Sequence, residues 1–410
     1  MVPLRSLAWL LLPVVALGGA AAVVQQRRVT QHWEIAAQKI ESQSRLVSSR
    51  RIVRDALWGE TEEGSAFADY RVAMETADHL WGRATGGFLG PAGATLADLD
   101  LQNAEVRDAL LMDPLAHSVL ESLRRGAHRS DATLEFDWSG SPEVPLASPS
   151  APARVRLVAH AAAYDALAND EPIEAARWVL DVLQFGADLS AGPTYLIEMV
   201  GVGLLASDAG LTTDATDGSW GKLGPHGRRY LVRGLRRLET RLLETRPFPE
   251  GEFVYVGRSL QEAYDVGDPR SSVQIGGSLT TLLERGQIAG FLVTTARWTE
   301  TYGDAVAEGW VEALRAAEMI EAEALQFDHE PLVTSGSHPR ATLQSRVYYT
   351  ARVQALRLGL EALDGHVETR PLDPLGDPLN VEVQEGVARV RSTSESYPRF
   401  ELVTSTCPLR

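Results

Sequence analysis

Apolar residues recur at alternating spacings of three and four in the middle of the chain, and this period constrains the fold more than any other feature. The repeat follows a short turn, and its members are Ile173, Ala176, Leu180, Leu183 and Ala187. A period near 3.6 residues places these side chains on one face of a helix, which predicts a helix with one core-facing stripe. A similar stripe precedes the turn, so the two segments predict an antiparallel helical hairpin.

Comparable patterns predict helices along most of the chain. They cover residues 26–58, 66–83, 96–112, 114–125, 154–168, 173–187, 192–206, 225–244, 258–264, 279–302, 304–326 and 340–363. The hairpin is similar to a tetratricopeptide-type unit in its placement of Ala and Tyr, but no second copy follows at a period of about 34 residues. The predicted fold class is therefore mainly α, with irregular stacked helical hairpins that form a degenerate tetratricopeptide-like array.

The sequence changes character after the last predicted helix, in the stretch RPLDPLGDPL at residues 370–379. Its prolines cannot continue a helix, and Asp373 and Asp377 stand before prolines in positions that favour turns. Residues 379–384 and 387–392 then alternate in polarity around Glu385-Gly386, which predicts a β-hairpin, and RFELVT predicts a third strand. Because a lone hairpin is marginally stable, we expect this small antiparallel β-meander to pack against the last long helix.

The N-terminus carries an uncharged apolar run from Leu7 to Val24, flanked by Arg5 and by a pair of arginines. About 20 apolar residues span a bilayer, whereas the core of a signal peptide has roughly 7–15. The length of the run favours a retained single-pass anchor in the cytoplasmic membrane, with the body of the protein on the extracytoplasmic side. The alternative is secretion after signal cleavage near the small residues at 20–22. The anchor makes the lipid bilayer a predicted partner through residues 7–24.

These features divide the chain into six parts. They are an N-terminal basic segment (1–6), a transmembrane signal-anchor (7–24), an N-terminal helical region (25–126), a Pro/Ser-rich loop or linker (127–152), a helical core (153–366) and a β-meander tail (367–410). The prolines of SGSPEVPLASPSAP rule out a helix in the linker. In the N-terminal region, Trp33, Ile40 and Val47 lie seven residues apart and predict a narrow seam for one partner helix.

Several chemistries are excluded or disfavoured by the sequence. The net charge of −16 repels a phosphate backbone, so nucleic acid is not a predicted partner. The single cysteine, Cys407, cannot form an internal disulfide or a cysteine-based zinc site by itself. The run Asp328-His329-Glu330, with His338 beyond it, lacks the three- or four-residue spacing by which helical ligands share a face. DGSWGKLG at 217–224 lacks the first glycine and the final Ser or Thr of a phosphate loop. No catalytic, cofactor-binding or metal-binding residue is predicted.

Glu198 is the one polar residue that stands out, because it lies alone in the apolar run YLIEMVGVGLL. A buried carboxylate must be paired or protonated. We expect an arginine from a neighbouring helix to pair with it, for example Arg177 or one near Arg229. In the same run, Gly201 and Gly203 are predicted to let neighbouring helices approach closely.

The order of features resembles uncharacterised, membrane-anchored helical proteins of envelope-rich bacteria. The likeness rests on the helix start Gly64-Ser65-Ala66-Phe67-Ala68-Asp69-Tyr70, on PTYLIEMVGVG at 193–203, and on a tail with Pro371, Asp373, Pro374, Gly376, Pro378 and Leu379. The tail alone also resembles the C-terminal turn of type II secretion pseudopilins, but the processing site and the calcium loop of those proteins are missing. The resemblance implies a helical envelope protein and no known activity.

The sequence therefore favours a protein without enzymatic activity, a membrane-anchored helical scaffold or protein-interaction module of the bacterial cell envelope with an unidentified protein partner. The alternative is an extracytoplasmic hydrolase or ligand-binding protein in which Glu198 lines a cleft together with distant arginines. The two hypotheses differ in the surroundings that they predict for Glu198. An open, water-filled pocket favours the alternative, and a site sealed by an arginine favours the scaffold.

Overall fold

A computed structural model describes residues 4–84, 101, 103–138, 148, 150–211, 223–245, 249–265, 279–324, 339–366 and 371–405. In this part of the chain, twelve helices dominate and a small antiparallel three-stranded sheet lies near the C-terminus. The predicted fold class, mainly α with a C-terminal β-meander, is confirmed.

The helices follow one another with short connections. Their bounds are α1 Leu4–Ser49, α2 Ala66–Ala84, α3 Ala104–Leu111, α4 Pro114–His128, α5 Ala151–Ala168, α6 Pro172–Ser190, α7 Tyr195–Leu211, α8 Gly224–Glu244, α9 Pro249–Asp265, α10 Leu279–Glu308, α11 Trp310–Ala324 and α12 Pro339–Leu363. The hairpin predicted from the apolar stripes is the pair α5 and α6. Asp170 turns the chain between them with a positive φ of 61°, and Pro172 occupies the first turn of α6, where its missing N–H costs no hydrogen bond.

Five short strands complete the described fold. β1 (Glu62–Ser65) and β2 (Arg129–Asp131) pair in parallel, and this contact was not predicted. β3 (Leu379–Gln384), β4 (Val387–Ser392) and β5 (Glu401–Ser405) form the predicted meander in the order β3-β4-β5. The sheet packs on α12, where a Cβ on Gly359 would lie 2.7 Å from Oγ1 of Thr404. Asp373 shapes the preceding turn by accepting hydrogen bonds from the backbone N–H groups of Leu375 and Asp377, each 2.8 Å long.

The buried apolar residues form two clusters that share one helix. The larger cluster contains residues of α2 to α8 and of the meander, and the smaller contains residues of α1 and of α9 to α11. The N-terminal half of α12, from Leu343 to Ala351, belongs to the smaller cluster, and its C-terminal half, from Val353 to Leu360, belongs to the larger. α12 therefore connects the two parts of the core.

The predicted transmembrane signal-anchor at residues 7–24 needs correction. Its backbone is the first part of α1, a continuous helix of 46 residues that runs on through charged sequence to Ser49. Within the described part of the chain, no helix is long and apolar enough to cross a membrane, which contradicts the predicted single-pass location. The seam of α1 instead packs on protein: Ile40 is fully buried, and α1 lies against α9 and α10. Of the residues predicted to contact the bilayer, the side chains of 7–23 lie outside the described set, and Val24 is 52% exposed.

The prediction of a helix up to Trp58 is wrong beyond Ser49. Residues 50–57 run in an extended path beside the segment that follows α4, since Arg54 N–H donates to the carbonyl of Ser130 over 2.9 Å and Ala132 N–H donates to that of Ile52 over 2.8 Å. The backbone departs from a helix here because it pairs with residues distant in the sequence, and Arg54, Ala56 and Leu57 are buried as a result. This extended segment reaches the polar residues of the core.

Candidate functional site

Glu198 is sealed inside the protein rather than exposed in a cleft. Its side chain on α7 is 2% accessible, and its Oε1 accepts a hydrogen bond from Nη1 of Arg346, 2.8 Å away. The same guanidinium, also 2% accessible, donates to the carbonyls of Ser190 and Thr245. Burial raises the pKa of Glu198 and the nearby Arg346 lowers it, with a net rise. Arg346 thus joins α7 to α12 and to the ends of α6 and α8.

The prediction that an arginine of another helix pairs with Glu198 is confirmed, but both suggested partners were wrong. Arg177 pairs with Glu174 on its own helix and with the hydroxyl of Tyr230. Arg229 is exposed and donates to the carbonyl of Pro225. Arg346 lies 148 positions from Glu198 in the sequence, and no local pattern connects the two.

A second carboxylate, Glu252, lies near Glu198. Its Oε2 accepts a hydrogen bond from the backbone N–H of Tyr195 over 2.9 Å. Burial raises the pKa of Glu252 to about 7, opposed by the Tyr195 N–H and reinforced by the negative charge of Glu198. The space between Glu252, Tyr195 and Tyr302 has a volume of about 30 Å³, which is room for one or two water molecules. Glu252 lines this space and Glu198 does not, so the two carboxylates do not share a ligand pocket.

Replacing Glu252 with glutamine is expected to remove part of the pH dependence of stability. The pKa in the folded protein is about 7, against 4.5 for the ordinary group, so the folded state retains a proton that the unfolded state releases. The free energy of unfolding of the wild type then falls as the pH rises from about 4.5 to about 7. A shift of this size corresponds to about 3 kcal/mol, and partial exposure of the side chain reduces the expected fall to about 2 kcal/mol.

Urea denaturation between pH 4.5 and pH 8 measures this effect. The glutamine of the variant can still accept the Tyr195 N–H, so the two proteins are expected to be equally stable at pH 4.5 and the Glu252→Gln variant more stable at pH 8. If the free energies of unfolding of the wild type and of Glu252→Gln changed with pH in parallel, the titration could not be assigned to Glu252.

The most extensive polar structure inside the fold lies on α6. Asp181, Gln184 and Asp188 are fully or almost fully buried, and their spacing of three and four places them on one helix face. None of these three residues was predicted from the sequence to have a role. The signal that identifies them is three polar residues at helical spacing within the otherwise apolar run VLDVLQFGADL.

Asp188 is the centre of one ion cluster. Its Oδ2 lies 2.7 Å from Nη2 of Arg54 and 2.7 Å from the hydroxyl of Tyr70, both of which donate to it, and its Oδ1 accepts from Arg241 and Gln184. Burial raises the pKa of Asp188, but Arg241 and Arg54 outweigh this effect and the net pKa is lowered. One carboxylate thus faces two guanidinium groups, which come from the extended segment 50–57 and from α8.

Asp181 is the centre of a second cluster. It accepts a hydrogen bond from Nε1 of Trp58 over 2.7 Å and another from Nε of Arg124 over 3.0 Å. Burial raises the pKa of Asp181 to about 7 against the opposing effect of Arg124. The Arg124 guanidinium also stacks over the ring of Trp178 at 3.6 Å, so the cluster ties α4 and α6 to the residues before β1.

An open groove lies beside the Asp188 cluster. Its volume is about 920 Å³, one wall is formed by residues 52–57 and 59–61, and the other by one face of α8 with Arg237, Thr240 and Arg241. Arg54 and Arg241 belong both to the groove lining and to the ion cluster, so the buried cluster fixes the two walls relative to each other. This groove has the size of a ligand or peptide site.

Metal binding finds no support in the described residues, where no group of three or more His, Cys, Asp or Glu side chains is arranged to hold an ion. Asp328, His329, Glu330, His338 and Cys407 lie outside the described residues, as does most of the stretch at 217–224. Comparison with known proteins gives no match to a family model, to a curated protein or to a solved structure. Function must therefore be inferred from the geometry itself.

Proposed function

We propose that the protein is a helical scaffold that binds another protein in the groove between residues 52–61 and α8. The observation that carries this proposal is the contrast between the sealed carboxylates and the open groove. Glu198, Asp181 and Asp188 each have side chains 2% accessible or less and are held by arginine, so these groups join helices together. The groove offers backbone groups, arginines and exposed side chains to a partner.

The alternative, a hydrolase or ligand-binding protein with Glu198 in a cleft, has less support. A general acid or base must come within hydrogen-bond reach of its substrate. Glu198 is 2% accessible and bonded to the Arg346 guanidinium, and the space beside Glu252 has a volume of only about 30 Å³. The raised pKa values of the carboxyl groups in this region are caused by burial. Buried structural ion pairs have shifted pKa values as readily as active sites do.

Site-specific photo-cross-linking in cells that make the full chain tests the proposal. A photoreactive amino acid at Thr240, which is exposed on the groove wall, is expected to give a discrete covalent adduct with one partner protein. The control position is Met112, which is 81% exposed at the end of α3 and does not line the groove. If both positions give the same adducts, or Thr240 gives none, the groove is not the binding site and the proposal is wrong.

A further inference from the structure

One wall of the groove is an extended segment with a free backbone edge. Val53 forms an isolated antiparallel bridge with Asp131, and the bonds that define it join Arg54 to Ser130 and Ala132 to Ile52. In extended chain, the N–H and C=O groups of successive residues point to opposite sides. Ile52 and Arg54 therefore direct their backbone groups towards residues 130–132, and Val53 directs its groups to the other side.

The backbone groups on that other side have no partners within the described chain. The N–H and C=O of Val53 and of Asp55 make no hydrogen bond to any described residue. Both residues line the groove, and the Val53 side chain is 76% exposed. An unpaired strand edge of this kind is a template for a further strand.

The opposite wall limits how a ligand can lie. Arg237 donates from Nη1 to the carbonyl of Ala56 over 3.2 Å, so the chain just beyond Asp55 is held against α8. Nη1 of Arg241 is buried without a hydrogen-bond partner among the described atoms, and Arg241 lines the groove. Because this nitrogen is buried, it does not contact a ligand in the groove, and the free backbone groups open to one are those of Val53 and Asp55.

Charge indicates the side chains that the ligand carries. Asp55, Glu60 and Glu244 are exposed in the groove lining, and none of them has an ion-pair partner among the described residues. The arginines of the groove are already engaged, Arg54 and Arg241 by Asp188 and Arg237 by backbone carbonyls. Of the three arginines in the lining, Arg54 and Arg241 are only 5% and 13% accessible, and Arg237 alone is exposed. Three exposed carboxylates thus stand against one exposed guanidinium, and this balance favours lysine or arginine on the ligand.

We propose that the groove binds an extended basic segment of a partner protein, which adds as a β-strand to the edge formed by Val53 and Asp55. The inference rests on the proposed scaffold function and specifies its mode of recognition. The main-chain hydrogen bonds to Val53 and Asp55 hold the peptide, and its alternate side chains face Asp55, Glu60 and Glu244. Sequence preference is then for basic residues at alternate positions.

Fluorescence anisotropy with a labelled peptide, Ac-Lys-Val-Lys-Thr-Lys-Val-Lys-amide, tests the backbone contact on the full chain. The variant Val53→Pro removes an N–H that the fold does not use, and proline requires the residue before it to be extended, as Ile52 is. We expect Val53→Pro to weaken binding about tenfold, whereas the control Val53→Thr, which retains the N–H, changes it less than twofold. Equal binding by the two variants would overturn the proposal.

A second measurement keeps the test independent of any effect of proline on the fold. Peptides N-methylated at alternate residues are prepared in two sets, because only one set of amides faces the edge of a bound strand. One set is expected to lose about tenfold in affinity and the other to bind almost as the parent peptide does. Equal losses in both sets, or none in either, would overturn strand addition.

A variant that lacks the three exposed carboxylates of the groove tests the preference for a basic ligand. The variant Asp55→Asn/Glu60→Gln/Glu244→Gln is expected to bind the basic peptide about tenfold more weakly, from roughly twofold for each exposed ion pair. A peptide with glutamate in place of lysine is expected to bind more weakly than the basic peptide to the wild type. Tighter binding of the acidic peptide would contradict the assignment of a basic ligand.

The failure of this inference can be distinguished from the failure of the proposed function. If Thr240 cross-links a partner while peptide affinity is insensitive to N-methylation, the strand-addition mode is wrong and the scaffold function stands. If neither Thr240 cross-links a partner nor the peptide binds, both are wrong.

Discussion

Replacing Asp188 with alanine is expected to lower the free energy of unfolding by about 3–5 kcal/mol, the range observed when one partner of a buried ion pair is removed. The side chain of Asp188 is inaccessible, and those of Arg54 and Arg241 are 5% and 13% accessible. Without the carboxylate, two guanidinium groups remain close together in the interior with no negative charge between them. Tyr70 also loses its hydrogen-bond acceptor. Urea denaturation at pH 7 measures the loss.

The matched control is Glu312→Ala, which removes the partner of Arg315 in an exposed pair one turn apart on α11. Such pairs contribute a few tenths of a kcal/mol, so this variant is expected to stay within about 0.5 kcal/mol of the wild type. Equal effects of the two substitutions would contradict the role assigned to Asp188.

Acid provides a further check on the same cluster. The pKa of Asp188 is lowered below 3.8, so its ionised form stabilises the fold at neutral pH, and this contribution is lost as the pH falls through the folded-state pKa. The stabilities of the wild type and of Asp188→Ala are therefore expected to converge in strong acid. A difference that stayed constant down to low pH would indicate that the lost packing, and not the charge, accounts for the effect.

The sequence predicted the helices well because their signal is local. The stripe from Ile173 to Ala187 requires only the geometry of a single helix, and α6 covers it from Pro172 to Ser190. The meander was equally accessible, since alternation and Glu385-Gly386 define its hairpin, and Glu385 has the positive φ that such a turn requires. Prediction was poorer where apolar periodicity is weak, as at the start of α9, which begins at Pro249 and not at Arg258.

For the ion clusters, the sequence indicates the buried acidic residues but not their partners. Asp181, Gln184 and Asp188 are recognisable as a polar stripe on an apolar helix, and Glu198 was recognised in this way. Their partners could not be predicted, because the choice among the many arginines of this chain depends on which helices meet in space. Arg54 illustrates the difficulty: it lies in a segment with helical periodicity, yet non-local pairing with Ser130 holds it extended and directs it to Asp188. The groove could not be predicted either, because the same non-local contacts bring its two walls together.

Replacing Gly201 with alanine is expected to destabilise the protein by about 3 kcal/mol, at the upper end of the usual range for overpacking. A Cβ at this position would lie 2.2 Å from the backbone nitrogen of Ser190 and 2.6 Å from the carbonyl oxygen of Gly186. These are backbone atoms of α6, so no side chain can rotate away, and α7 must move as a whole. Since α7 carries Glu198, the shift also disturbs its bond to Arg346.

Gly203 provides the control on the same helix, because a Cβ there meets no atom within 4 Å. The sequence predicted close helix approach at both glycines, and the structure places it at Gly201 and leaves Gly203 on the exposed face of α7. Alanine is favoured over glycine in a helix, so Gly203→Ala is expected to stabilise the protein by about 0.5–1 kcal/mol. Two substitutions of identical chemistry, two residues apart, should therefore shift the midpoint of urea denaturation in opposite directions. A shift in the same direction for both would show that α6 and α7 do not pack through Gly201.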